Sequence, residues 1–302
     1  MTPVPRDEDV TTTGPRRWGR WKKLLFGDGP APEEGIPERI GRYRILSLLG
    51  EGGMGRVYRA EDETLQRRVA VKTLKEWDES SKRRFLREAR AAARVSHPNV
   101  CPIFEVGDDR GRLFLATELL EGETLAQRLK RGPLPPAQAL GLAREMLSAL
   151  DTLHEAGIVH RDLKPSNVFL STHGARLLDF GLARELPGEI SRDLVSGGDL
   201  TRPGVILGTP GYMAPEQILG RPVGPHTDLF GVGIIVYESL SGHRPFPGDT
   251  AVQLLSAILH EEPPPLEGPP AVVALDPPIR RALAKPPDQR FASAREMAAA
   301  LE

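Results

Sequence analysis

His160-Arg161-Asp162-Leu163-Lys164-Pro165-Ser166-Asn167 is followed, about a dozen residues later, by Asp179-Phe180-Gly181. The two stretches carry three metal- or proton-handling side chains, Asp162, Asn167 and Asp179, on two nearby loops. Asp162 can accept a proton from a hydroxyl. Asn167 and Asp179 offer hard oxygen ligands of the kind Mg²⁺ prefers. Phosphoryl transfer asks of a protein mainly positioning and charge neutralisation, and these residues can supply both.

Upstream, Gly50-Glu51-Gly52-Gly53-Met54-Gly55 sits between two stretches of strand-like patterning, residues 43–49 and 56–60. Alone, such a run fits a plain glycine-rich hairpin as well as a phosphate site. A following helix would point to a dinucleotide fold. Here a strand follows, which favours a flap over nucleotide phosphates, with glycines letting backbone N–H groups approach the oxygens. Lys72 lies at the end of Val69-Ala70-Val71-Lys72 in a third strand, residues 68–74. Pointing inward beneath the flap, it could hold the α- and β-phosphates as a point charge. Such a lysine needs a carboxylate to orient it. Glu88, on the helix that follows, is the candidate. Glu79 competes but stands at the helix start and faces the wrong way.

The 302 residues suffice for one large domain or two lobes. Forty basic and 41 acidic residues leave a net charge of −1, which speaks against a nucleic-acid partner. The single cysteine, Cys101, excludes an intramolecular disulfide and a cysteine zinc cluster, and points to a reducing compartment. It reads as a small buried apolar residue. No apolar run reaches membrane-spanning length, and the N-terminus lacks the apolar core of a secretion signal. These features together point to the cytoplasm.

Residues 1–40 are dominated by Pro, Gly, Thr and charge and read as a disordered extension. Residues 16–26, Arg16-Arg17-Trp18-Gly19-Arg20-Trp21-Lys22-Lys23-Leu24-Leu25-Phe26, stand out within it. As a helix they would gather Trp18, Trp21 and Leu25 on one face with cations beside them. That face could lie on an anionic membrane surface, here the inner face, or dock on a partner. The alternative is a solvated arm, since Gly19 and the short span make an isolated helix marginal. Farther on, the pattern predicts a helix over 80–94, strands over 100–106 and 112–117, and helices over 137–156, 229–241, 252–260 and 292–301. The helix over 229–241 is apolar on nearly every face and should be buried. A β-rich first third and an α-rich remainder imply an α+β protein of two lobes.

The ordered set Gly50/Gly52/Gly55, Val-Ala-Val-Lys72, His160-Arg161-Asp162, Asn167, Asp179-Phe180-Gly181 and Ala214-Pro215-Glu216 resembles the signature of protein kinases. Gly208-Thr209-Pro210-Gly211-Tyr212-Met213-Ala214-Pro215-Glu216-Gln217 and Ser241-Gly242-His243-Arg244-Pro245-Phe246 resemble the eukaryotic-like Ser/Thr kinases of bacteria. The resemblance runs from about Tyr43 to the C-terminus. It implies the bilobal kinase fold: a small antiparallel β-sheet lobe with one main helix (41–117), a hinge (118–123) and a larger, mainly helical lobe (124–302). It implies ATP and Mg²⁺ as cofactors, with Mn²⁺ as the alternative ion, and protein substrates. Asp162 would receive or orient the substrate hydroxyl, and Lys164, typical of Ser/Thr kinases, would stabilise the γ-phosphoryl charge. Asn167 and Asp179 would bind the metal. Thr209 would line the substrate pocket. Gly50, Glu51, Gly52, Gly53, Met54 and Gly55 would cover the phosphates. The adenine would sit between Val57 and Ala70 above and Phe169 below. Glu118 and Leu120 would meet its edge, with Thr117 as gatekeeper. Glu216 would pair with Arg290, and Asp228, ahead of the apolar helix, would hold the catalytic-loop backbone.

Arg161 precedes the catalytic aspartate, and such an arginine often requires a loop phosphate. Ser191, Ser196 and Thr201 are candidates within 179–216. The spacing of Thr201 before Gly208-Thr209 matches the autophosphorylated threonine of bacterial relatives, whereas Pro203 stands where they often carry a second threonine. Gly231 and Pro286 depart from the usual residues without touching the chemistry. Bacterial relatives often pair through the small lobe, so a homodimer is open. Because the chain stops after its last helix, no sensor domain is expected. A pseudokinase scaffold is the alternative function, but such proteins usually lose the counterparts of Lys72, Asp162 or Asp179, and all three are present. A small-molecule kinase is disfavoured by the complete segment 208–216.

Overall fold

The computed structural model describes residues 36–52, 55–74, 79–179 and 210–302. The N-terminal part is an antiparallel sheet of six strands in the order β1-β2-β3-β4-β6-β5. Its strands are β1 (Arg39–Ile40), β2 (Tyr43–Gly52), β3 (Gly55–Asp62), β4 (Arg67–Leu74), β5 (Ile103–Asp109) and β6 (Arg112–Glu118). Alternation along β4 buries Val69 and Val71 on the side that also holds Tyr43, Tyr58 and Phe114. Tyr43 and Phe114 meet edge to face, with ring centroids 6.0 Å apart.

The expected start of the folded region at residue 41 falls inside a hairpin. Ile40 pairs with Tyr43 and is buried, so the sheet begins at Arg39. Residues 1–35, including the tryptophan-bearing segment 16–26, lie outside the described residues. The strand expected from residue 100 begins instead at Ile103. Pro102 has no N–H to give a ladder, and Val100 bridges in parallel to Leu177.

Helix α1 (Glu79–Ala92) buries Phe85, Ala89 and Ala92, spaced i, i+4, i+7, and leaves Arg83, Arg87 and Arg90 toward solvent. A second, three-stranded sheet was not anticipated: β7 (Gly122–Thr124), β8 (Val168–Ser171) and β9 (Gly174–Leu177). Its strands are only three or four residues long, too short to leave a period in the sequence. This sheet does most to position the site. β8 begins directly after Asn167, and β9 runs out toward Asp179.

The remainder is helical. Helix α2 (Leu125–Leu129) is closed by a capping box between Thr124 and Gln127. Helix α3 (Pro136–Glu155) starts on a proline and buries Leu142, Met146, Leu150 and Leu153. After α4 (Pro215–Ile218) comes α5 (Pro225–Ser241), buried along nearly its whole length, which ends on Gly242 at φ 80°. Because Pro225 opens α5 four residues before the expected start, Asp228 lies within its first turn rather than ahead of it. Helices α6 (Ala251–His260), α7 (Pro270–Val273), α8 (Asp276–Ala282) and α9 (Ala294–Ala300) complete the packing. Ser293 caps α9, accepting from the Glu296 N–H at 3.1 Å, which sets its start two residues later than expected. Among the described residues, no helix is long and apolar enough to cross a membrane.

Candidate active site

The loop from His160 to Asn167 joins α3 to β8, and its backbone is under strain. Arg161 sits at φ 66°, a region side-chain-bearing residues seldom adopt. The carboxylate of Asp228 holds it there. That group is 1% exposed and accepts the N–H groups of His160 and Arg161, each at 2.8 Å. Placement in the first turn of α5 also sets the carboxylate in the favourable end of the helix dipole. His154, on α3, brings Nε2 to within 2.7 Å of the same carboxylate. The sequence reading passed over His154, and only its place six residues before His160 could have drawn notice. His160 is wholly buried, and burial lowers its pKa. Gly231 has a packing reason: a Cβ there would stand 3.0 Å from the Cβ of Leu163, beneath the loop.

Asp162, Lys164 and Asn167 form one cluster. Lys164 Nζ donates to Asp162 Oδ2 at 2.7 Å. Asn167 Nδ2 donates to the same oxygen at 3.0 Å and to the Asp162 carbonyl at 2.8 Å. Both contacts fall on Oδ2. Among the described residues Oδ1 receives no hydrogen bond, so it can meet an incoming hydroxyl. With its amide nitrogen committed, Asn167 turns its side-chain oxygen to whatever else enters the site. The Leu178 N–H donates to the Asn167 carbonyl at 2.9 Å, which draws Asp179 to the same place. Asp179 is itself in the left-handed region, at φ 55°. Two hard oxygen groups thus stand close together, a donor set that suits a divalent cation with phosphate oxygens as co-ligands.

The structure does not bring Lys72 to Glu88. Lys72 Nζ donates to Asp179 Oδ2 at 2.7 Å, and Glu88 Oε1 lies 3.8 Å from Arg161 Nη1. The left-handed backbone at Asp179 aims its carboxylate at β4, and that at Arg161 sends its guanidinium toward α1. Each lysine and glutamate thereby finds a nearer partner. Glu79 is not the alternative, for it pairs with Lys82 on its own helix. Burial alone would raise the Asp179 pKa, but the Lys72 ammonium outweighs it and holds the carboxyl below its ordinary value.

The β2–β3 turn carries the glycines. Gly50 pairs with Val57 and Gly52 with Gly55, whereas Gly53 and Met54 lie outside the described residues. Gly55, at φ 140°, is required by the sheet: a Cβ there would come within 1.8 Å of the Thr73 carbonyl oxygen. Glu51 meets Arg56 at 3.2 Å. Val57, Ala70 and Phe169 are each partly exposed. Ala70 pairs with Thr117 across β4 and β6. At the chain crossing, the Glu118 N–H donates to the Pro102 carbonyl at 3.2 Å, and the Glu118 carbonyl accepts the Thr117 hydroxyl at 3.4 Å and the Cys101 thiol at 4.0 Å. Leu120 follows two residues later, partly exposed. Beside this crossing Cys101 is buried, which pushes its thiol up to about 12 and leaves it inert.

Glu216 and Arg290 form a buried bidentate pair, at 2.8 and 2.9 Å, between α4 and the segment before α9. Phe180, Gly181, Ser191, Ser196, Thr201 and Thr209 lie outside the described residues.

A protein kinase domain model matches residues 43–275. Serine/threonine-protein kinase pkn3 of Myxococcus xanthus is 39% identical over 288 residues, covering 90% of this chain and 52% of that protein. Serine/threonine-protein kinase PknL of Mycobacterium tuberculosis is 38% identical over 271 residues, covering 86% of this chain and 65% of that one. The chain therefore spans from about half to two thirds of the length of these relatives. Among solved structures, the kinase domain of Mycobacterium tuberculosis PknI superposes with a TM-score of 0.68 at 28% identity, covering 89% of this chain and 98% of that one. The sheet order, the two loops that meet at Asn167 and the extent of these matches agree: the chain belongs to the protein kinase family, beside its bacterial serine/threonine members.

Proposed function

We propose that the chain transfers the γ-phosphoryl group of ATP to Ser and Thr hydroxyls of proteins, itself included, with Mg²⁺ as its ion and Mn²⁺ as the substitute. The observation that carries this is the hydrogen-bonded cluster of Asp162, Lys164 and Asn167, tied through the Leu178 N–H on the Asn167 carbonyl to the neighbouring Asp179, whose carboxylate holds Lys72. The adenine enters the slot flanked by Val57, Ala70 and Phe169, its edge toward the Glu118 carbonyl and the Leu120 backbone. Asn167 and Asp179 would hold the cation, and Lys72, now on Asp179, would hold the phosphate oxygens. When bound, the cation neutralises charge on the phosphates. Asp162 Oδ1 aligns the acceptor hydroxyl and takes its proton as the new P–O bond forms and the bond to the ADP oxygen breaks. Lys164 offsets the charge on the group in flight. The intact Lys72, Asp162 and Asp179 argue against a scaffold role. The near-neutral charge argues against nucleic acid as partner.

The test is transfer of label from γ-labelled ATP, followed by acid hydrolysis. Label in phosphoserine and phosphothreonine supports the reading, and a purified chain that transfers none under saturating Mg²⁺ and ATP sinks it.

Two further parts belong to this proposal. The first is regulation through Thr201. Arg161 meets Glu88 only loosely, at 3.8 Å. A phosphate, with about −1.5 to −2 charge, would be the stronger partner and would release Glu88 toward Lys72. Thr201→Ala is expected to lower the rate severalfold or more, measured as initial velocity on an added protein substrate. Mass spectrometry that finds active protein bare of phosphate at Thr201 would count decisively against it.

The second part is organisation. The sheet lobe extends to residue 117, the hinge over 118–123 and the helical lobe from 124. The arm ahead of β1 serves as a peripheral contact on the cytoplasmic face of the membrane. Deleting residues 1–35, which spares β1, should leave catalysis unchanged and weaken sedimentation with anionic vesicles. Equal vesicle binding by both forms removes the membrane role.

A further inference from the structure

Gln217 has no part in the scheme above, yet it is tied to the centre of the catalytic loop. It lies in α4, half-buried, directly after Glu216. Both ends of its amide are engaged. Oε1 accepts the Ala214 N–H at 3.0 Å, and Nε2 donates to the Arg161 carbonyl at 2.8 Å. The partners fix the amide's orientation, because a backbone N–H can only donate and a carbonyl can only accept.

The Arg161 carbonyl is not an arbitrary anchor. It belongs to the peptide unit that leads into Asp162, and Arg161 is at φ 66°. The Arg161 N–H is held by Asp228 at 2.8 Å. The strained residue is therefore clamped on both sides, by Asp228 from α5 and by Gln217 from α4. The Asp162 N–H of the same peptide unit donates back to the His160 carbonyl at 2.9 Å, so without Gln217 that short-range bond alone holds the plane between Arg161 and Asp162, which can then turn toward a less strained conformation. Asp162 would turn with it. The clamp has a rigid base, since the neighbouring Glu216 is locked by Arg290.

We infer that Gln217 is a positioning residue, which sets the angle of Asp162 through the Arg161 carbonyl and links the segment before α4 to the catalytic loop. The inference rests on the kinase reading for its kinetic consequence but not for its structural one.

Two variants separate the roles. Gln217→Glu keeps an oxygen for the Ala214 N–H and removes the donor to Arg161. Gln217→Met removes both. Each is expected to lower kcat on the order of ten- to a hundredfold, with KM for ATP within about twofold of wild type, as a small misplacement of a reacting group does. Gln217→Glu carries a further signature. Its carboxylate faces a carbonyl oxygen, and its protonated form regains a donor. Its kcat relative to wild type should rise as pH falls from about 8 to about 5.5, because burial beside an acceptor favours the protonated form. Gln217→Met should show no such rise. Wild-type kcat in both variants overturns the inference, as does a pH-independent loss in Gln217→Glu accompanied by loss of thermal stability. Amide hydrogen exchange over residues 158–167 gives a readout that needs no activity. Faster exchange there in both variants is expected, and exchange equal to wild type overturns the inference even if the chain transfers no phosphate.

Discussion

Replacing Asp162 with asparagine abolishes autophosphorylation, lowering label incorporation from ATP by about a hundredfold to ten-thousandfold, the range set by loss of a general base. The substitution is nearly isosteric. The asparagine carbonyl can still accept from Lys164 Nζ and Asn167 Nδ2, the two donors that converge on Asp162 Oδ2 at 2.7 and 3.0 Å. What changes is the other end. An NH₂ group replaces Oδ1, so the acceptor hydroxyl meets a donor where it needs a proton acceptor. The fold should not change, and the melting curve of the variant should overlay that of the wild type. Undiminished incorporation in Asp162→Asn would sink the mechanism. Loss of incorporation together with a collapsed melting curve would assign the effect to folding instead.

The chemistry-bearing residues were legible because they are local. His160 to Asn167 and Asp179 stand in two short loop segments about a dozen residues apart, and the Leu178 to Asn167 hydrogen bond brings the segments together. The partners of those residues were less legible, because they depend on how loops turn. Lys72 was assigned to Glu88, but two left-handed residues, Arg161 and Asp179, redirect both charges. Nothing in a one-dimensional pattern marks a positive φ at arginine or aspartate. The β7–β8–β9 sheet was missed because strands of three or four residues carry no period. The strand expected from Val100 was wrong in its first residues for a local and visible reason, Pro102. Glu216 and Arg290 are 74 residues apart in sequence. Their pairing came into view only through the family resemblance, since separation in sequence carries no information on contact. Gln217 was read only as one more letter in a motif. Its role lies in two hydrogen bonds that no spacing encodes.

The Glu216–Arg290 pair carries the largest expected effect on stability. Arg290 is wholly buried, and all five of its N–H groups find acceptors. Two go to Glu216, at 2.8 and 2.9 Å. The others go to the carbonyls of Ala284 at 2.7 Å, His226 at 3.0 Å and Lys285 at 3.0 Å. Thr227 adds a hydroxyl donor to Glu216 at 2.8 Å. Arg290→Met leaves Glu216 as a buried carboxylate with no counter-charge, and three carbonyls lose a donor. Breaking such a pair costs about 3–5 kcal/mol. Removing both charges with Glu216→Leu and Arg290→Met should cost less than the single change, because no unpaired ion remains. The pH dependence distinguishes this account from simple loss of packing. In the wild type, burial alone would raise the Glu216 pKa, but the hydrogen bonds and charge of Arg290 hold it below the ordinary 4.5. Its folded value is thus below its unfolded one, so the pair's stabilisation is present above pH 4.5 and is lost as pH falls through the folded value. In Arg290→Met the sign reverses. Burial without the cation raises the folded pKa above the unfolded one, so protonation on acidification relieves the variant. The gap in unfolding free energy between wild type and variant should therefore be widest near neutrality and narrow toward pH 4, read from denaturant titrations at several pH values. A gap that stays constant across that range would mean that Arg290 stabilises the fold by packing alone and that the charge on Glu216 is immaterial.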